Sequence, residues 1–438
     1  MGKVGRISIK STRRWARQLA RRAVGMLPAT TRFALYRSMV ECDPSPDLRL
    51  ELKIAETREE LEGCFRLLHD AYVASGFMKP DPSGMRVTIY HALPTTTTLC
   101  AKVDGKVVGT LSLIRDGVFG FPLQSAFDLL AVRAKSGQIA EISALAVHPD
   151  YRKTGGWILF PLMKFMYEYC TKYFDTRHLV IAVNPDKIEL YESLLFFERM
   201  QAAVVDRYDF ANGAPAVGAT LDLRAAVDTF RRVYAGKSVR RDLYRYFVAT
   251  RLPNIRLPSR PYHTTNDPVL TPELIDHFFN RATRVFDGLD ERHRHLLRSI
   301  YDGTDYMRVL PSVSGSSRMA VRSHPRYSIR CPAVFTPGSS AKGAAYKLTV
   351  TELSRHGCRA ECGAELTLGL TGHLEIELGE GRFARLQGEV VRLVGSDRIH
   401  RYGLRIERPD LDWLMCAQAL ESGQTHSDLM GLDELPQP

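Results

Sequence analysis

The sequence predicts a mixed α/β domain, then a helical stretch, then a small antiparallel β-barrel. Three observations predict this order. Residues 48–225 interleave period-two strand patterns with helical ones. Residues 224–312 carry helical patterns, broken by a Pro-rich run at 251–271. Residues 313–423 are short alternating segments, several parted by glycines. The expected boundaries are therefore 1–43, 44–225, 226–312, 313–423 and a polar end at 424–438. With 438 residues, 45% hydrophobic and 25% charged, the composition excludes collagen-like, coiled-coil and largely disordered readings.

The first 43 residues read as a basic amphipathic segment. Residues 1–40 hold ten Lys and Arg and no acid, so nearly all of the net charge of +11 sits there. The basic character belongs to this segment and not to the rest of the chain, so no DNA or RNA partner is expected. On a helical wheel Trp15, Leu19, Ala23, Met26 and Leu27 fall on one side. Arg13, Arg14, Arg17 and Arg21 fall on the other, with Arg22 near the boundary. Such a helix lies on an anionic membrane surface, or packs on protein with its basic face in water; both stay open. No run of 18 apolar residues suits a membrane span, and the N-terminus lacks the apolar block of a secretory signal. Eight scattered cysteines give no disulfide framework, and Cys358 and Cys362 have no second pair at metal spacing. A cytoplasmic protein without a metal is expected, peripheral on the inner face of the cell membrane if the basic segment docks there.

Pro44 and Pro46 mark the first boundary. Leu48–Ile54 alternates like a strand, and Thr57–Val73 has helical spacing. Thr97–Val103 and Lys106–Ile114 flank Asp104-Gly105, a hairpin signal. Gln138–Val147 reads as a strand, Gly155–Tyr173 as a long amphipathic helix, His178–Val183 as a buried strand and Lys187–Leu195 as a short helix. Ala203–Asp206 and Ala216–Leu223 close the domain as strands. Helices are expected at Ala225–Tyr234, Arg240–Thr250, Pro272–Phe286 and Asp290–Tyr301, the third opened by Thr271 as cap and Pro272 in the first turn. This region reads as a helical cap or an inter-domain spacer. Strands follow at Ala333–Phe335, Lys347–Thr351, Cys358–Glu361, His373–Leu378, Ala384–Val394 and Arg401–Glu407, with Leu411–Leu420 as a closing helix.

The most informative segment runs Glu141-Ile-Ser-Ala-Leu-Ala-Val-His-Pro-Asp-Tyr-Arg-Lys-Thr-Gly-Gly-Trp157. A strand enters a basic, glycine-containing turn and a helix follows, so N–H groups at the helix start can hold a pyrophosphate. Arg152, Lys153 and Thr154 line the turn, and Gly155 and Gly156 allow close backbone approach. This order resembles the acyl-donor motif of the GNAT N-acyltransferase superfamily. Arg152 and Gly155 match it, whereas Trp157 stands where a small residue is usual. The strand, together with Asn184-Pro185 and Tyr191-Glu-Ser-Leu-Leu-Phe-Phe-Glu198, resembles the FeeM-type N-acyl amino acid synthases, relatives of the acyl-homoserine-lactone synthases. The resemblance departs at Ala144, where arginine is expected, and at Phe196, where glycine is expected.

That resemblance implies transfer of a long-chain acyl group, carried by acyl carrier protein or CoA, to the amine of an amino acid, with no covalent cofactor. The amine arrives protonated, so a base must take its proton, and Glu141 on the central strand is placed for that role. A splayed strand around Ala146 and Val147 would offer an N–H to the thioester oxyanion. Tyr191 would protonate the leaving thiolate. Asn184 is either a turn residue or a site residue, and His148 reads as a turn residue.

A second constellation opens the barrel: Arg322-Ser-His-Pro-Arg326, then Glu352-Leu-Ser354-Arg-His-Gly357. Arg-x-x-x-Arg alone is uninformative, since Arg13/Arg17, Arg17/Arg21, Arg318/Arg322 and Arg326/Arg330 also match. In order, and with Gly388 and Tyr402-Gly403-Leu404-Arg405, the set resembles the PilZ domain. The resemblance implies cyclic di-GMP binding by Arg322, Arg326, Glu352, Ser354 and Gly357, because arginines fork onto phosphates and stack on guanine. Glu352 replaces the usual Asp or Asn, which sets its carboxylate further out. The reading is thus an N-acyltransferase regulated or localised by cyclic di-GMP. The alternatives are an ordinary acyl-CoA-dependent GNAT enzyme and an inactive acyltransferase fold serving as a cyclic di-GMP receptor. An alkyl-sized space between the sheet and the 224–312 helices favours an enzyme; a filled space with Glu141 in an ion pair favours the receptor.

Overall fold

A computed structural model describes residues 26–117, 119–301, 304–313, 326–338, 345–396 and 400–421. Most of the basic segment, Arg322 and the 424–438 end lie outside the described residues. The first module is an eight-stranded sheet. Its strands are β1 (Leu50–Ile54), β2 (Thr96–Val103), β3 (Lys106–Arg115), β4 (Gln138–Val147), β5 (Thr176–Val183), β6 (Glu198–Arg199), β7 (Val205–Tyr208) and β8 (Ala214–Asp222). The spatial order is β1-β2-β3-β4-β5-β8-β6, with β7 on β8. Only β4 and β5 run parallel; the other pairs are antiparallel.

Helices cover both faces of the sheet. α1 (Ala29–Met39) is held to α4 (Pro185–Leu195) by Arg32, which donates to Glu189 at 2.9 Å. α2 (Arg58–Ala74) starts at a capping box between Thr57 and Glu60. α3 (Leu159–Lys172) buries Leu162, Phe165, Met166 and Tyr169 against the other face. It starts later than the sequence pattern suggested, because residues 155–158 form the turn that precedes it.

Residues of the 224–312 region pack into the cores on both faces of the sheet. α5 (Leu223–Tyr234) packs Ala226, Phe230 and Tyr234 into the same core as α3, as do Tyr246 and Phe247. Further on, Phe278, Phe279, Leu297 and Tyr301 join the core of α2 on the other face. The expected helices at 240–250 and 272–286 are shorter and wider: π-helical turns span Arg245–Ala249 and Asp276–Ala282, the latter after an α-turn at Pro272–Ile275. π-turns are uncommon and interrupt the 3.6-residue repeat, so the pattern overstates helix length here.

The second module is a closed barrel, in the order β10-β11-β14-β13-β12-β9. Its strands are β9 (Tyr327–Pro337), β10 (Tyr346–Ser354), β11 (Gly357–Cys362), β12 (Thr371–Gly379), β13 (Arg382–Ser396) and β14 (His400–Arg408). Trp413 on the closing helix (Leu411–Glu421) is fully buried in the barrel core. All eight cysteines are buried and unpaired. Among the described residues no helix is long and apolar enough to cross a membrane.

The Pro-rich run joins the modules as a strap. Tyr262 enters the barrel core and accepts a hydrogen bond from Arg382 at 3.1 Å. His263 N–H donates to Leu378 O at 2.7 Å, and Arg330 N–H donates to His263 O at 2.8 Å. Gly379 allows the crossing, since a Cβ there would fall 2.6 Å from Pro261 O. On the sheet side Arg260 donates to Asp267 at 2.9 Å and to Tyr173 O at 2.6 Å. Arg115, at the end of β3, lies over the Phe174 ring at 4.2 Å and donates to Thr265 Oγ1 at 2.8 Å. Burial pushes its guanidinium down to about 10. Thr265 N–H in turn donates to Ser328 O on β9 at 3.2 Å.

Candidate functional site

The sheet splits at its one parallel pair. β4 and β5 are paired from Gln138/Thr176 to Glu141/Val180. Beyond that point β5 stays with β8, while β4 stays with β3. A cavity of about 250 Å³ fills the split, lined by Glu141 and Ser143–Leu145 from one strand and Ile181–Asn184 from the other. Glu141 is the last paired residue, at the foot of the cleft.

β4 also bulges there. Ser112 pairs with Ser143 and Thr110 with Ala146, so Ala144 and Leu145 share one position opposite Leu111. Ala144 takes φ +56°. The sequence reading put the splayed backbone at Ala146 and Val147. Those two also lie beyond the last pair with β5 and keep their pairing with β3, while Ala144 and Leu145 line the cleft. The bulge uses one extra residue, which residue type alone does not announce.

Glu141 is only 2% exposed, and among the described residues its carboxyl accepts one hydrogen bond, from Leu123 N–H at 3.1 Å. Among the described residues no cation forms an ion pair with it. Burial pushes its carboxyl up to about 8, with the Leu123 bond opposing weakly. A carboxyl group there can hold or accept a proton near neutral pH.

Tyr191, on α4, lines the same cavity, and burial pushes its phenol up to about 12. The side chain of Asn184 accepts from Asp186 N–H at 2.9 Å, capping α4, and the residue also lines the cleft. Phe196 closes α4 at φ +60°, a left-handed cap that glycine usually fills. Its ring packs on Phe230 and Tyr234 at 5.2 and 5.8 Å, which offsets the backbone strain. Sequence reasoning missed Tyr72, Tyr208, Lys187 and Phe210 on the cavity wall. Arg86 stacks between Tyr72 and Phe210, at 4.1 and 4.9 Å, and donates to Phe210 O at 2.9 Å. Tyr72 comes from α2, Arg86 from the loop after it, Tyr208 from the end of β7, Phe210 from the turn that follows and Lys187 from α4, so no single motif marks them.

The 152–156 turn lies at the far end of β4. Arg152 donates to Val147 O at 2.7 Å and so closes the turn. Thr154 donates to Tyr151 O at 2.8 Å, and Lys153 takes φ +63°. Gly156, at φ +84°, has no room for a Cβ, which would fall 2.4 Å from the Phe160 ring, whereas Gly155 faces open space. Trp157 stacks on Tyr151 at 5.5 Å, which accounts for a large residue there. His148 caps the short turn at Pro149–Tyr151.

A second, wholly apolar cavity of about 40 Å³ lies between α3, β5, β8, α5 and the Arg245–Ala249 turn. Met163 lines both cavities, and Phe230 and Phe247 line the far one.

On the barrel, Glu352 bridges two arginines: Arg326 at 3.4 Å and Arg359 at 2.7 Å. The longer acid thus holds both. Ser354 donates to Gly357 O at 2.9 Å, closing the β10–β11 hairpin. A Cβ on Gly357 would lie 2.8 Å from Leu404 O.

Residues 63–222 match the family model described as N-acyl amino acid synthase FeeM, and residues 320–416 match that of the PilZ domain. A search of curated proteins returned no match. Among solved structures, FeeM, an N-acyl amino acid synthase from uncultured soil microbes, is 24% identical over 41% of this chain and 93% of its own, with a TM-score of 0.35. BjaI, a CoA-dependent acyl-homoserine lactone synthase, is 22% identical over 42% of this chain and 88% of its own, TM-score 0.33. YcgR from Escherichia coli, in complex with c-di-GMP, is 17% identical over 23% of this chain and 43% of its own, TM-score 0.20. The assignments rest on the two family models, not on these scores: an acyltransferase domain of the N-acyl amino acid synthase type precedes a PilZ domain.

Proposed function

We propose that this chain, an acyltransferase domain joined to a PilZ domain, transfers a long-chain acyl group from acyl carrier protein or CoA to the amine of an amino acid, under control of cyclic di-GMP. The observation that carries the reading is Glu141: a buried carboxyl with no ion pair among the described residues, at the foot of the β4/β5 split, in a cavity that shares the Met163 wall with an apolar one. An inactive receptor would be expected to fill both spaces and pair the charge.

In this mechanism the donor's phosphates sit at the 152–156 turn, and its pantetheine arm runs along the split. The acyl chain passes Met163 and lies under α5. The substrate ammonium meets Glu141, which takes its proton; the free amine then attacks the thioester carbonyl. An N–H of the Ala144–Leu145 bulge faces the developing oxyanion. The C–S bond breaks and the thiolate takes a proton from Tyr191, whose raised pKa keeps it protonated until then; the nitrogen's surplus proton returns to the tyrosinate, and Glu141 releases its own proton to water.

Cyclic di-GMP binds Arg322, Arg326, Ser354 and Gly357, with Glu352 holding Arg326. Its effect reaches the acyl site through the strap. Ser328 lies two residues from Arg326 and accepts from Thr265, which accepts from Arg115; Ile114 next to Arg115 is paired with Glu141. The protein works in the cytoplasm, and the basic segment brings it to an anionic membrane surface where long acyl products dissolve.

The test is mass spectrometry of lipids from cells expressing the chain or Met163→Trp. The wild type should give N-acyl amino acids, and the variant should shift them to shorter chains, because an indole closes the passage. Absence of N-acyl amino acids from cells holding folded wild-type protein would contradict the reading.

A further inference from the structure

A third cavity lies away from the acyl site, between the modules. It is a cleft of about 820 Å³, within the range of small-molecule sites. The sheet side supplies the starts of β4 and β5 and the start of α5; the barrel side supplies outward residues of β9, β11 and β14; the strap residues 263–265 form part of the wall. The donor turn is at the other end of β4, so the phosphates of an acyl donor do not account for this cleft.

Its lining holds eight Arg and Lys against three carboxylates, with Glu168, Asp222 and Glu352 pairing Lys172, Arg177 and Arg359 from just outside it. Most of the cations are paired. Arg133 meets Asp116 at 2.7 Å, Arg401 meets Glu361 at 3.2 Å, and Arg330 meets Asp175 at 3.0 Å across the module boundary. Lys135 and Arg224 are exposed, and among the described residues neither has a carboxylate partner. Both come from the acyltransferase side. The barrel wall contains Arg359, which shares Glu352 with Arg326, so the cleft continues the face that carries the PilZ signature.

We infer that the acyltransferase domain completes the nucleotide site: the phosphates of a cyclic dinucleotide bound on the barrel face are met from across the cleft by Lys135 and Arg224. The inference rests on the proposed cyclic di-GMP reading and adds the second wall. A ligand held by both modules binds one arrangement of them better than any other, and that difference in affinity is what a regulator needs. Two exposed cations without carboxylate partners suit an anion that arrives and leaves, since they present charge without first breaking an ion pair.

The test is calorimetric titration of the full chain with cyclic di-GMP, for the wild type and for K135E/R224E and K135Q/R224Q. Two surface charge reversals should weaken binding roughly 10-fold at low salt, and the neutral pair less. The difference should shrink at high salt. Acyl transfer without nucleotide should be unchanged in both variants, which serves as the folding control. Equal affinities for all three proteins would overturn the second wall while leaving the nucleotide reading intact. A wild type that does not bind at high micromolar ligand would overturn both.

Discussion

Replacing Glu141 by Gln should make the protein slower and more stable at once. The side chain keeps its shape and its bond from Leu123 N–H, but it can no longer ionise. In the folded protein the carboxyl titrates at about 8 against an ordinary value of 4.5. A raised carboxyl favours the folded state fully below the unfolded pKa, and that contribution is lost as pH climbs through the folded one. At about 1.4 kcal/mol per pH unit, the loss by pH 7 is about 3 kcal/mol. Glu141→Gln avoids that loss. By the usual scaling its domain should melt roughly 6–12 °C higher at pH 7. Below pH 5 the two proteins should converge, since both then carry a neutral group. Catalysis should move the other way, falling about 10²–10⁴-fold. In the wild type kcat/KM should rise about tenfold per pH unit up to about 8 and then level; in the variant that limb should be missing. The assays are thermal melts at pH 5, 6, 7 and 8 and thiol release from an acyl donor over the same range. A variant less stable than the wild type at pH 7, or one with wild-type rates, would refute the reasoning.

Three further outcomes follow from the same contacts. Arg326→Ala should weaken cyclic di-GMP binding roughly 10–100-fold, the worth of a charge-assisted hydrogen bond, and leave basal acyl transfer unchanged; titration and rate on one preparation check both. Thr265→Val removes one of the three acceptors of Arg115, leaving Phe174 O and Thr265 O, and should cost about 1–3 kcal/mol by denaturant titration. It should also shrink the nucleotide's effect on rate, roughly 5–150-fold in the wild type, without changing nucleotide affinity. Deleting residues 1–25 removes eight positive charges but spares Arg32, which holds α4, so co-sedimentation with anionic vesicles should be lost at low salt while the fold persists.

The sequence carried the strands and the two signatures because both are local. Alternation marks β2, β3 and β4, and the Asp104-Gly105 turn joins the first two with Gly105 at φ +79°. Glu141 was readable because its strand leads into the donor turn. Tyr72 and Phe210 were not, because only the closed fold brings α2 and the 208–211 segment over the split. The bulge at Ala144 and Leu145 was not foreseen, since a register shift depends on the partner strand. The Pro-rich run read as a loop is one, yet its Tyr262 and Arg260 anchor it in two different cores. Phe196 and Trp157, departures from the family patterns, are accounted for by partners distant or adjacent in sequence: Phe230 and Tyr234 for one, Tyr151 for the other.

The central claim is amide formation at Glu141, and one measurement tests it most directly. Purified full-length protein is incubated at pH 8 with a long-chain acyl carrier protein and a mixture of amino acids, and free thiol and N-acyl amino acid are quantified together by mass spectrometry. The account predicts one amide formed for each thiol released, with both falling together in Glu141→Gln. Thiol released without amide, or amide formed equally well by the variant, would contradict it.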